Sequence, residues 1–218
     1  MKKEKKNIAF VMDLDGTVVN PGTAIPRCIN YALQKQGVKS VPIERLKRYI
    51  GHDLTFIFSE VTGRKDKKFL KACIDAYQSR FLKDGIAEHR LYPGIVGLLE
   101  AASEKGDLYI LSIKPKASCE MVLENLGIVK HFAKIYGGDT KGCKGNKAEI
   151  LKNLAKTEKL TQIIVVGDRA MDVEAANKCK FRSIGVTYGY GTKNELMNAG
   201  ASFVAETVGE LRQCLLNS

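Results

Sequence analysis

Seven side chains of this 218-residue chain have the types and spacing for chemistry on an anion. Asp13 and Asp15 stand one residue apart in "IAFVMDLDGTVVN" (8–20), directly after five apolar residues. Ser112 follows "LYIL", Asp168 follows "IIVVG", and Asp172 comes four residues later. The loop "TKGCKGNK", with Lys144 and Lys147, stands ahead of the helical pattern "AEILKNLA". Residues i and i+2 leaving an extended segment aim into one cleft, whereas Leu14 between them points to the packed side. Carboxylates gathered this way repel one another but bind a hard divalent cation. Mg2+ takes oxygen ligands, keeps several waters and commonly pairs carboxylates with a substrate phosphate. A carboxylate can attack phosphorus to form an aspartyl-phosphate. Asp15 can protonate the leaving alcohol and then deprotonate the water that hydrolyses the intermediate. Ser112 and a lysine can hold the phosphoryl oxygens as charge spreads over them.

Each piece alone has a plainer reading. Asp15-Gly16 is a turn dipeptide. Asp168 suits a helix N-cap and Asp172 a first helical turn. Lysines in a polar loop are usually solvated. The argument rests on all of them falling in order at strand ends or helix starts, where ligands bind in an open α/β sheet.

Such positioning needs strands that end together. "IAFVM" (8–12), "LYILS" (108–112), "IIVVG" (163–167) and "FRSIGV" (181–186) read as nearly continuous apolar strands. "SCEMVLENLGI", "NKAEILKNLA" and "MDVEAANKC" between them read as amphipathic helices. The alternation predicts an α/β fold, a doubly wound parallel sheet covered on both faces. Residues from about 21 to 90 read as helical throughout, with Gly37 and Gly51 as helix stops. Roughly 70 residues without a strand are too many for a crossover. They predict a helical domain, 20–90, inserted into a core of 1–19 and 91–218. Pro93-Gly94 marks the return to the core.

Hydrophobic content of 44% and charged content of 27% are ordinary for a globular chain. No apolar run reaches the ~18 residues of a membrane helix. The basic start ahead of Ile8 leads into too short an apolar stretch for a secretory signal and reads as a frayed lysine-rich end. Six scattered cysteines without a CxxC pair read as reduced thiols of a cytoplasmic protein. His52, His89 and His131 form no zinc-ligand spacing with each other or with cysteine. The net charge of +11 favours anionic partners, yet no zinc-finger spacing or aromatic RNA-binding signature accompanies it. The partner expected is a small phosphorylated metabolite, with no membrane and no specific nucleic acid. A monomer or a homodimer would serve.

The order of motifs resembles the haloacid dehalogenase superfamily of hydrolases, and within it the phosphoglycolate phosphatase-like group. "DLDGT" (13–17) resembles the nucleophile motif and "ILSIKP" (110–115) the hydroxyl motif. Lys147 in "KGNKAEIL" resembles the third-motif lysine, with Lys144 as runner-up. "VVGDRAMDVEAA" (165–176) resembles the acidic motif, and "GVTYGYGTKNEL" begins a stretch similar to the family's C-terminal part. The resemblance implies a Rossmann-like core with a helical cap. It implies Asp13 as nucleophile and Mg2+ ligand, Asp15 as acid/base giving its backbone carbonyl to the metal, and Asp168 as a further ligand. Asp172 would be a ligand through water or an anchor for Lys147. Gly16, Thr17, Ile113 and Lys114 would line the substrate with Ser112, and Arg48, Gly51 and His52 would contact it from the cap. Three departures from the group's pattern stand out. Ile113 replaces a frequent asparagine, Arg169 replaces a small hydroxyl residue after Asp168, and the lysine region lacks Lys-Pro-x-Pro. The implied activity is that of a phosphomonoesterase. A 5'-nucleotidase, a β-phosphoglucomutase-type phosphomutase and a phospho-accepting signalling module are the alternatives.

Overall fold

The computed structural model describes residues 8–143 and 145–218. The lysine-rich start and Lys144 lie outside the described residues. The chain divides into two compact units, one of residues 1–20 with 91–218 and the other of 21–90.

The larger unit is built on six strands: β1 (Ala9–Met12), β4 (Asp107–Leu111), β5 (Lys134–Tyr136), β6 (Ile163–Gly167), β7 (Arg182–Val186) and β8 (Phe203–Ala205). Their order is β5-β4-β1-β6-β7-β8, and every pairing is parallel. The chain leaves this unit through the two-residue strand β2 (Val19–Asn20) and returns through β3 (Arg90–Leu91). The central strands are apolar because both faces are covered. On one face Ala9, Val11, Tyr109, Leu111, Ile163 and Val165 meet Leu151 and Leu154 of α7 (Lys147–Glu158) and Ala175 and Ala176 of α8 (Ala170–Lys178). Residues of opposite parity, Phe10, Met12, Leu108 and Ile110, are equally buried. On that side α5 (Ile95–Lys105) packs against β4 and against α10 (Val208–Leu216). The fold is a doubly wound α/β core with a helical insertion.

β5 and β8 were not read from the sequence. Each has three residues and edges its part of the ladder, too short for a period to register. Their neighbours β4 and β7 supply the hydrogen bonds that make them strands.

The smaller unit holds four α-helices: α1 (Ala24–Lys35), α2 (Ile43–Lys47), α3 (Leu54–Thr62) and α4 (Lys67–Arg80). Asp53 caps α3, accepting from the N–H groups of Thr55 and Phe56, and Gly63 ends it in the left-handed region. Asp66 caps α4 through Phe69 N–H. α1 packs on α4, burying Ile29, Leu33, Leu70, Cys73 and Tyr77. Arg80 pairs with Glu88 at 2.7 Å, and Arg27 approaches the same carboxylate at 3.4 Å. Among the described residues, no helix is long and apolar enough to cross a membrane.

Candidate active site

The order of strands reverses direction at β1, and ligands bind at such a switch point. Register sets Met12 opposite both Ile110 of β4 and Val166 of β6. Asp13, Ser112 and Asp168 therefore leave three adjacent strands within one residue of a common level. All three are buried, as are Asp15, Thr17, Lys147 and Asp172.

After β1 the chain turns at once. The Leu14 carbonyl accepts from the N–H groups of Thr17, Val18 and Val19, and its side chain is fully buried. Gly16 adopts φ +99°, and a Cβ there would overlap the Asp168 carboxylate. Only glycine permits this turn so close to a neighbouring acid. Gly167 serves the same end, since a Cβ on it would overlap the Asp172 carboxylate.

Lys147 opens α7, where Asn146 caps the helix through the N–H groups of Ala148 and Glu149. Its ammonium donates to Asp13 Oδ1 at 2.7 Å and to Asp172 Oδ1 at 2.5 Å. Lys114 pairs with Asp15 at 2.6 Å. Ser112 Oγ accepts from Lys114 N–H at 3.2 Å. Thr17 Oγ1 lies 3.5 Å from Asp168 Oδ1, and Tyr190 N–H donates to Asp168 Oδ2 at 2.8 Å. Ile113 is half-buried, and its carbonyl would collide with a Cβ on Gly138.

Oxygens of Asp13, Asp168 and Asp172 lie within 4.8 Å of one another. Burial pushes the Asp13 carboxyl up to about 7, with Lys147 opposing and Asp172 and Asp15 adding to the rise. Asp168 is pushed well above the ordinary carboxylate range by burial, then by the charges of Asp13 and Asp172. Burial works to lower the Lys147 ammonium, but its two carboxylates outweigh it and hold the proton more tightly. One ammonium among three buried acids leaves the cluster short of positive charge. An all-oxygen donor set with a deficit of cations fits a hard divalent ion.

Arg48, Gly51 and His52 belong to the helical unit. Arg48 is exposed at the end of α2 and donates to Tyr49 Oη at 2.7 Å. Gly51 turns with φ +91°, and the His52 ring lies 5.1 Å from that of Phe56.

Three tyrosines were given no role by the sequence. Tyr188 Oη donates to the Thr17 carbonyl at 3.0 Å, Tyr190 Oη donates to Asn20 Oδ1 at 2.9 Å, and Tyr92 meets the Tyr188 ring edge-on at 4.9 Å. The alternation of tyrosine with Gly189 and Gly191 after β7 was the available signal. A Cβ at Gly189 would run into the Gly16 carbonyl and one at Gly191 into the Asp168 carbonyl.

Residues 10–186 match the model of the haloacid dehalogenase-like hydrolase family. The chain belongs to that family. This haloacid dehalogenase-like hydrolase is 32% identical over 212 residues to a 5'-nucleotidase of Pseudomonas aeruginosa, covering 96% of this chain and 95% of the relative. It is 30% identical to a phosphoglycolate phosphatase of Agrobacterium fabrum, over 83% of this chain and 80% of that protein. A haloacid dehalogenase-like hydrolase from Streptococcus pneumoniae superposes with a TM-score of 0.88 at 27% identity, covering 94% and 97% of the two chains. The protein is a phosphatase of this family.

Proposed function

We propose that this phosphatase hydrolyses small phosphate monoesters through an aspartyl-phosphate on Asp13, with Mg2+ as cofactor. The observation that carries the reading is the buried trio of Asp13, Asp168 and Asp172, with Lys147 bridging the first and last. Asp13, Asp168 and the backbone carbonyl of Asp15 would hold the ion, with Asp172 acting through water or as the anchor of Lys147. Bound Mg2+ would neutralise charge so that an anionic carboxylate can approach an anionic phosphoryl group.

An Asp13 oxygen attacks phosphorus while the bond from phosphorus to the ester oxygen breaks, and Asp15 gives its proton to the departing oxygen. Asp15, again a carboxylate, takes a proton from water, whose oxygen attacks phosphorus as the bond to Asp13 breaks. Inorganic phosphate leaves and both acids are restored. Lys114 pairs with Asp15 at 2.6 Å. A phosphoryl group arriving beside Lys114 gives its ammonium a second anion and weakens its hold on the Asp15 carboxylate, which favours the protonated acid. Lys147 and the Ser112 hydroxyl steady the phosphoryl oxygens, and the turn of Gly16 and Thr17 together with Ile113 lines their approach. Residues 20–90 would be the cap domain and 1–19 with 91–218 the core, with Arg48, Gly51 and His52 as the cap's substrate contacts. The enzyme works in the cytoplasm as a monomer or homodimer.

For the substrate, the resemblance to the phosphoglycolate phosphatase-like group favours 2-phosphoglycolate or a similar small acid. The Pseudomonas relative, matched along nearly the whole of both chains, favours a nucleoside 5'-monophosphate as the second reading. Phosphate release from 2-phosphoglycolate, nucleoside monophosphates and sugar phosphates, with Mg2+ and with EDTA, tests both. Turnover that disappears in EDTA and in Asp13→Asn is expected, and the best ester names the subgroup. No release from any ester, with Asp13 still accepting phosphate from a small donor, would instead indicate a phosphomutase or a signalling module.

A further inference from the structure

The start of α8 carries both Asp168 and Asp172, yet it is capped in an unusual way. An N-cap residue normally offers a side-chain oxygen to the first free N–H groups of its helix. The residue here is Arg169, and a guanidinium has donors only. The acceptor comes from α9 (Lys193–Asn198) instead. Glu195 Oε1 accepts from the Ala170 N–H at 2.9 Å and from Arg169 Nε at 3.0 Å. The Arg169 N–H in turn donates to Asp172 Oδ2 at 3.1 Å. The backbone that separates the two acids is thus gripped by one carboxylate from a different helix. A negative charge at this end of α8 also suits the helix dipole. The same return segment holds Asp168 itself through the Tyr190 N–H at 2.8 Å.

We propose that Glu195 is a positioning residue that caps α8 in trans and thereby sets Asp168 and Asp172 for the cation. A serine or threonine at the N-cap would cap such a helix from within; here Arg169 and Glu195 cap it together. The inference rests on the reading of Asp168 as a metal ligand.

The test is calorimetric titration of the full chain with Mg2+, alongside phosphate release as a function of Mg2+ concentration. Removing a group that orients a metal ligand typically costs about 10–100-fold in metal affinity. Glu195→Ala is therefore expected to weaken Mg2+ binding by about tenfold or more. Glu195→Gln keeps an acceptor oxygen and the shape, so its loss is expected to be smaller. Adding Arg169→Ser to Glu195→Ala supplies a self-capping hydroxyl, and affinity should recover to within about threefold of wild type. A folded Glu195→Ala that binds Mg2+ like wild type, even with a lowered melting temperature, overturns the positioning role and leaves only a structural one. A double variant no better than Glu195→Ala overturns the trans-capping account. A wild-type chain that takes up no Mg2+ removes the metal reading and this inference together, whereas the first two results remove this inference alone.

Discussion

The Lys147 ammonium lies 2.7 Å from Asp13 and 2.5 Å from Asp172, and all three side chains are buried. Lys147 comes from the first turn of α7, Asp13 from the end of β1 and Asp172 from the first turn of α8. A single cation therefore ties together three elements far apart in the chain. It also offsets part of the repulsion among the acids.

Lys147→Ala should damage stability and activity together. It leaves Asp13 and Asp172 buried without their shared partner, and breaking a buried pair typically costs about 3–5 kcal/mol. Urea unfolding at neutral pH measures the first loss. Phosphate release should fall by about a hundredfold or more, since the stabilising charge at the phosphoryl oxygens is gone. Normal turnover in the variant would remove Lys147 from the mechanism.

Gly16→Ala separates the geometry of the site from its charge. The new methyl must sit at φ +99° and would overlap the Asp168 carboxylate. The left-handed conformation alone costs about 1–2 kcal/mol for a residue with a Cβ. A folded variant by circular dichroism with phosphate release lost almost entirely is the expected outcome.

Mg2+ should raise the melting temperature of the wild type and do so far less in Asp168→Asn. A ligand at 100 times its Kd stabilises by about 2.7 kcal/mol. Without metal, Asp168→Asn should melt no lower than wild type, because burial and the charges of Asp13 and Asp172 disfavour an ionised acid there. Equal Mg2+ shifts in the two proteins would place the ion elsewhere.

The helical unit carries its own pH signature. Burial works to raise the Glu88 carboxyl, but Arg80 and then Arg27 outweigh it and hold it below its usual 4.5. An acid lowered in the folded state adds stability that is present above its unfolded value and is lost as pH falls through its folded one. Wild type should therefore lose stability below about pH 4.5 more steeply than Glu88→Gln. Denaturant midpoints of both proteins from pH 7 to pH 3 would reveal it, and parallel curves would count against the pair.

The sequence by itself determined the groups and their local geometry. The i, i+2 spacing of Asp13 and Asp15 after an apolar run, and the four-residue spacing of Asp168 and Asp172 across a strand end and a helix start, were both legible as acids delivered to one place. The apolar run before each acid marked the strand that delivers it. The helical insertion was equally legible, because its repeats are local.

Only the tertiary structure decided which charges meet. The parallel register of β4, β1 and β6 brings Ser112, Asp13 and Asp168 to one level, and no pattern within any one strand specifies that alignment. The pairing of Lys114 with Asp15, the bridge through Lys147 and the trans cap of Glu195 on α8 join residues 25 to 134 positions apart. β5 and β8 became strands because a neighbour offered its edge. Periodicity records what a residue does within its own element, whereas these contacts depend on how separate elements are packed.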